Sequence, residues 1–416
     1  MELKKYKLGE ILDVKRGASL VGEYYSTEGK YVRLTCGNFD YNNNCFKENT
    51  SKDNIYYTGA IKQEFIMNEG DIITPLTEQA IGLLGSTAII PESDKYIQSQ
   101  DVAKIICKEH LLYPKYAYYL ISSKLVKNQL SAAAQQTKIR HTSPDKIKDC
   151  VVWIPDLDIQ KQIGDLLSNI DHKIALNRRI NAKLEQIAKR LYDYWFVQFN
   201  FPDKNGKPYK SSGGKMVWNE VLKREVPEGW EVVPLFKAAN IQYGFPFSTE
   251  LFTEEPTNIP IVRIRDILDG TISAYSLENA DEKYHLQEGD VIVGMDGNFH
   301  MNYWHDNKAY LNQRCVRIRP FSNSTISSIQ ILYNIKPYIK AKEKNAKGST
   351  VGHLSDKDLK NLFVLQPKTN PKFNPRSHFD EILKLIIKNK HQILSLTALR
   401  DRLLPLLMNG QVEVKG

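Results

Sequence analysis

Hydrogen-bonding side chains gather at matching places along this chain. QQTKIRH (135–141) carries Lys138, Arg140 and His141, and KGSTVGH (347–353) carries Lys347, Thr350 and His353. A second group follows an acidic turn in each half: Thr74, Thr77 and Gln79 after NEGD, and Asp296 and Asn298 in MDGNF after QEGD. The third group is arginine, with Arg16 in KRG, then Arg33, Arg263 and Arg265. Guanidinium, ammonium and imidazole groups donate to anionic oxygens, and with Thr, Asn and Gln they match the polar edges of planar rings. The chemistry these types support is binding and readout. Each has a bland counterpart: His141 and His353 could cap the segment that follows them, and Arg33 and Arg263 could pair with internal acids. Lys138, Arg140 and Lys347 could be ordinary solvated charges.

The tools of catalysis are not found. There is no GxxxxGK[ST] phosphate loop, no GxGxxG and no Asn/Asp-Pro-Pro-aromatic tetrapeptide of the adenine-methyltransferase kind. HMNYWH (300–305) offers two histidines without an HExxH frame or a third ligand. Pro202-Asp203-Lys204 resembles part of a nuclease site, but no second acid and lysine are spaced to complete it. The expectation is a non-catalytic chain that binds no metal or cofactor.

The bulk numbers agree with a binding protein. At 416 residues two or more domains are expected, and 42% hydrophobic with 25% charged residues is the composition of a folded globular chain. A formal charge of +9 is compatible with a polyanionic partner such as nucleic acid. Five scattered cysteines without a CxxC pair read as apolar filler in a reducing compartment. MELKKYKLGEIL has no signal-peptide core and no long apolar run follows it, so a cytoplasmic protein without a membrane segment is expected.

The chain is written twice. Leu8–Gly17 recurs as Leu235–Gly244, YVRLTCGNFD as IVRIRDILDG, NEGDIIT as QEGDVIV, and SQDVAKI as NQRCVRI. TKIRHTSPDKIKDCVVWIP is matched by STVGHLSDKDLKNLFVLQP, and RLYDYWF by RLLPLLM. The matches keep their order, and their offset drifts only from 230 residues at Arg33/Arg263 to 212 at His141/His353. That is a tandem duplication. Each copy opens with short β-rich runs and helical stretches, an α/β (α+β) domain, and closes with a long amphipathic helix.

In the first helix, Ile180, Leu184, Ile187, Leu191 and Tyr194 keep the 4,3,4,3 spacing of a coiled-coil seam, which runs on to Trp195. Lys173 and Asn177 interrupt it, and a buried polar position there could fix register. In the second helix the seam includes Ile393, Leu396 and Leu403, and Pro405 is expected to kink or stop it. The aromatics of LYDYWFVQFNFPD read as an anchoring cluster at the first helix end. The expected layout is a first α/β domain over 1–155, a long helix over 156–200, a junction over 201–230, a second α/β domain over 231–370, and a second long helix with a tail over 371–416. The helices are expected to pair as an antiparallel coiled coil that separates the two α/β domains in a pseudo-two-fold tandem repeat.

This order of parts, with LYDYWFVQFNFPD, NGKPYKSSGGKMV and VPEGWEVVPL at the junction and LRDRLLPLLMNGQVEV at the C-terminus, resembles the specificity (S) subunit of type I restriction–modification systems. The resemblance covers essentially the whole chain, and its junction and C-terminal stretches are the specific ones. It implies two target-recognition domains, each reading one half of a split sequence in double-stranded DNA. The helices would act as spacer and as docking platform for two DNA adenine methyltransferase subunits, with motor/endonuclease subunits able to join. S-adenosylmethionine, ATP and Mg would then belong to those partners. The alternatives are a duplicated coiled-coil scaffold without DNA readout, and a self-contained modification or restriction enzyme.

Overall fold

The computed structural model describes residues 2–50, 53–78, 82–133, 140–346, 352–368 and 372–414. The chain divides into two compact units, Met1–Ile174 with Ser395–Gly416, and Ala175–Leu394. Each unit takes one α/β head and part of both long helices.

Head 1 is built on an antiparallel sheet ordered Ala88–Ile89, Ile72–Pro75, Val102–Cys107, Leu12–Arg16. Head 2 repeats it with Met301–Tyr303, Val291–Gly294, Cys315–Pro320, Ala239–Tyr243. Each head adds a small second sheet holding one parallel pair, Tyr31–Arg33 with Tyr96–Ile97 and Ile259–Val262 with Tyr310–Leu311. Each also adds a two-stranded clasp, Lys4–Lys7 with Val151–Ile154 and Glu231–Pro234 with Phe363–Gln366. The fold is a tandem α/β repeat, and the apolar runs read as strands in the sequence lie in these sheets. The heads differ in one element: head 1 has two helices, Pro114–Ile121 and Lys124–Ala133, where head 2 has a single helix, Ser328–Ala346. The head 1 core gathers Leu8, Ile11, Tyr116 and Ile121, and that of head 2 gathers Leu235, Ile318, Ile331 and Ile335.

The long helices run Leu157–Tyr192 and Pro375–Met408. Asp156 Oδ1 accepts from the Ile159 N–H at 3.1 Å and caps the first; Asn374 Oδ1 accepts from Ser377 N–H at 3.3 Å at the start of the second. Pairing is antiparallel in both units. In the second unit Asn177 donates to Gln392 (3.0 Å), and Asn181 donates to the Ile386 carbonyl (3.1 Å) while accepting from Asn389 (2.9 Å). In the first unit Arg400 reaches Asp171 at 2.9 Å.

The packed face of the first helix corrects the expected seam. It runs through Ile163, Leu167, Ile170, Ile174, Asn177, Asn181, Leu184, Ala188, Leu191 and Trp195, spaced alternately by four and three. Leu184, Leu191 and Trp195 are on it. Ile180 and Ile187 are not: they are 38% and 48% exposed. Two heptad stripes share Leu184 and Leu191, and the buried one passes through amides and an alanine, because Asn181 is matched by Asn389 and by the Ile386 carbonyl. On the second helix Ile393 is buried, and Leu396 and Leu403 are half-buried. Pro405 does not stop this helix, which continues to Met408. Its missing N–H costs the helix one bond, to the Asp401 carbonyl, but Leu407 and Met408, 2% and 7% exposed, hold the last turn in the head 1 core.

The first helix ends in a π-turn, Asp193–Val197, that delivers Trp195 and Phe196 into an aromatic cluster. Trp195 meets Phe373 with ring centroids 5.3 Å apart, and Phe201 lies 4.6 Å from Trp230 and 4.8 Å from Phe373. The crowding in LYDYWFVQFNFPD is thus an anchor in the second unit.

Candidate nucleic-acid interface

One backbone framework recurs in both heads and brings several of the expected residues together. In head 1 a turn closes with Val102 N–H donating to Ser99 O (3.1 Å), Leu76 N–H to Asp101 O (2.8 Å), and Thr142 N–H to Leu76 O (2.9 Å). In head 2 the same bonds join Cys315 to Asn312 (3.3 Å), Met295 to Arg314 (2.8 Å) and Leu354 to Met295 (2.7 Å). A glycine seats each turn: a Cβ on Gly17 would lie 2.3 Å from Ser99 O, and one on Gly244 1.9 Å from Asn312 O.

This framework superposes three side-chain positions: Thr77 on Asp296, His141 on His353, and Asp101 on Arg314. In head 1 the Thr77 hydroxyl donates to Asp101 Oδ1 at 3.3 Å and lies 3.3 Å from His141 Nδ1. With its one proton given to Asp101, Thr77 accepts from the His141 Nδ1–H. In head 2 Asp296 accepts from His353 Nδ1 at 2.6 Å and from Arg314 Nη1 at 2.7 Å. Burial works against the Asp296 charge, but His353 and Arg314 outweigh it and hold the carboxyl below its usual range.

The remaining expected residues divide into three groups. Arg16 is exposed and donates from Nε to the Gln100 carbonyl at 2.9 Å, beside the head 1 turn. Asn298 and Arg265 are exposed. Three others are held by partners within their own head, and among the described residues only Arg263 of these lies beside an internal acid, Asp266, at 3.7 Å. Thr74 is fully buried and donates to Ser86 O at 2.8 Å. Arg33 is 9% exposed, bonded to Asn54 O (3.2 Å) and stacked 4.0 Å over the Tyr25 ring. Arg263 donates to the Ser273 carbonyl (2.9 Å) and hydroxyl (2.6 Å). Arg140 pairs its backbone with Glu78. Gln79, Lys138, Lys347 and Thr350 lie outside the described residues.

Sequence reasoning missed Asp101 and Arg314, although a signal was present: SQDVAKI against NQRCVRI sets opposite charges at one matched position. Among the described residues no group of His, Cys, Asp and Glu could hold a metal ion, and no helix is long and apolar enough to cross a membrane.

Residues 1–186 and 227–372 both match the model of the type I restriction modification DNA specificity domain. The chain belongs to this family. Each head is thus a DNA specificity domain, and the chain is a DNA-recognition component of type I restriction–modification. The duplicated scaffold and the self-contained enzyme find no support. The chain is 24% identical over 330 residues to the MjaIX type I restriction enzyme specificity subunit of Methanocaldococcus jannaschii, covering 76% of this chain and 73% of that one. It is also 24% identical over 376 residues to the MjaVIII specificity subunit of the same organism, covering 85% and 82%. A crystal structure of a type I S subunit from M. genitalium shares the fold, with a TM-score of 0.58 at 18% identity, covering 98% of this chain and 96% of that one.

Proposed function

We propose that the two DNA specificity domains read the two halves of a split target in double-stranded DNA, and that the chain is itself non-catalytic. The observation that carries this is the repeated framework, which presents different side chains from the same backbone positions in the two heads. Two different readers on one chain suit a bipartite site with unequal halves. Methyltransferase subunits dock on the long helices and bring S-adenosylmethionine, while motor/endonuclease subunits bring ATP and Mg. Support for docking comes from the second heptad stripe, along the first helix and into the turn that ends it, where Ile180, Ile187 and Tyr194 are 38%, 48% and 38% exposed. Apolar rows left uncovered at this spacing suit a helical or apolar partner surface.

The test is exchange of residues 1–155 for the corresponding head of another family member, in complex with methyltransferase partners. Mapping methylated adenines is expected to show one half-site replaced and the other retained. A swap that alters both halves together contradicts two independent readers.

A further inference from the structure

We infer that the tip of the matched turn, Asp101 in head 1 and Arg314 in head 2, is a specificity-determining position that reads a base edge in each half-site. Arg314 would take a guanine, and Asp101 the exocyclic amine of a cytosine. This rests on the two-head reading proposed above and adds the residue and the base class to it.

The geometry at Arg314 is that of a presented side chain. Its backbone φ is +68°, a left-handed conformation that an arginine adopts only where the surroundings hold it. Here the Met295 N–H takes its carbonyl and Gly244 seats the turn beneath it. The guanidinium gives Nη1 to Asp296, itself bridged to His353, so the plane is fixed from one side. The side chain is nonetheless 62% exposed, which leaves Nε and Nη2 as an unoccupied fork. Such a fork matches O6 and N7 of guanine in the major groove.

Asp101 decides between base and phosphate. It occupies the same place in the hydrogen-bond framework, with its carbonyl taken by Leu76 as that of Arg314 is taken by Met295, but without the left-handed φ of Arg314. Its carboxylate is half-exposed and is held by Thr77. A phosphate contact would suit Arg314 but would repel Asp101. A position that carries an anion in one copy and a cation in the other therefore faces base edges, where both donors and acceptors are found. A carboxylate accepts from the cytosine N4 amine there.

The experiment uses the full chain with its methyltransferase partners in a host whose DNA is sequenced for methylated adenine. If the unaltered chain yields no split motif, the two-head reading itself fails. Given a split motif, Arg314→Gln is expected to relax one guanine of one half-site, with discrimination falling about tenfold to a hundredfold. The other half-site should stay unchanged. Asp101→Asn should relax one cytosine of that other half-site, and Arg314→Lys should keep a weakened guanine preference. Asp296→Asn tests positioning: it should loosen the same guanine, whereas a merely structural role lowers methylation at all sites alike and changes no letter. If Arg314→Gln leaves the motif unchanged letter for letter, or weakens every site equally, the inference is overturned while the two-head reading stands.

Discussion

Head 1 and head 2 share the backbone hydrogen bonds of their matched turns and invert the charges carried there, although only Arg314, and not Asp101, is left-handed. Thr77 stands where head 2 has Asp296, and Asp101 where it has Arg314; only the histidines, His141 and His353, are kept. The bonds that fix the framework run between backbone groups, Leu76 to Asp101 and Met295 to Arg314, so side chains can change sign without disturbing it. A polar cluster at a turn is in this way made independent of the turn itself.

A second contrast lies at the helix ends, and its loss should have the largest effect. The second unit is anchored by aromatics around Trp195 and Phe373, and the first by the aliphatic Leu407 and Met408. Trp195→Ala is expected to cost about 3–5 kcal/mol. Hydrogen exchange should rise around residues 226–232 and 373–387 while the head 1 sheet keeps its protection. Equal loss of protection in both units would dissolve the contrast.

The heads should also part in their response to acid. His305, 6% exposed, has Pro91 as its exposed counterpart in head 1, next to the matched carbonyls of Trp304 and Ile90. Burial, reinforced by Lys390 and His391 and opposed by Asp306, lowers the His305 pKa from 6.5 to about 4. Between those values the unfolded chain holds a proton that the folded chain does not. Stability of the second unit therefore falls as pH drops through this window, by about 3 kcal/mol in total. Denaturant titrations at stepped pH should show the fall, and His305→Asn should flatten it. A matching pH dependence in the first unit would break the distinction.

The smallest folding effect belongs to the exposed stripe. Leu184→Asp places a charge in the packed seam and should cost several kcal/mol. Ile187→Asp, one residue from the buried Ala188, should change folding by less than about 1 kcal/mol. It should still weaken co-purification with the methyltransferase subunits. Normal binding by a folded Ile187→Asp variant would leave the stripe without its proposed partner.

The repeat was legible because it is carried by residues with backbone consequences: the glycines at 17 and 244, the acidic turns, and the histidines that precede matching helices. The identity of the buried seam was not. Hydropathy favours Ile180 and Ile187, whereas the packed face uses Asn177, Asn181 and Ala188, whose suitability depends on amides some 200 residues away in the chain. Arginine in a β-like run is equally ambiguous, and only the Asn54 carbonyl and the buried Asp266 show that Arg33 and Arg263 are held within their own heads. Asp101 and Arg314 became visible once backbone bonds from Leu76 and Met295 placed them at one position.

The seated glycines divide each turn into a part that selection must preserve and a part it can spend freely. Any side chain at Gly17 or Gly244 collides with a carbonyl, so these codons are closed to change. At Asp101 and Arg314 a single codon can alter the chemistry on offer without asking the head to refold. Targets in such a lineage would diverge by discrete jumps at a few exposed codons while the scaffold stays constant.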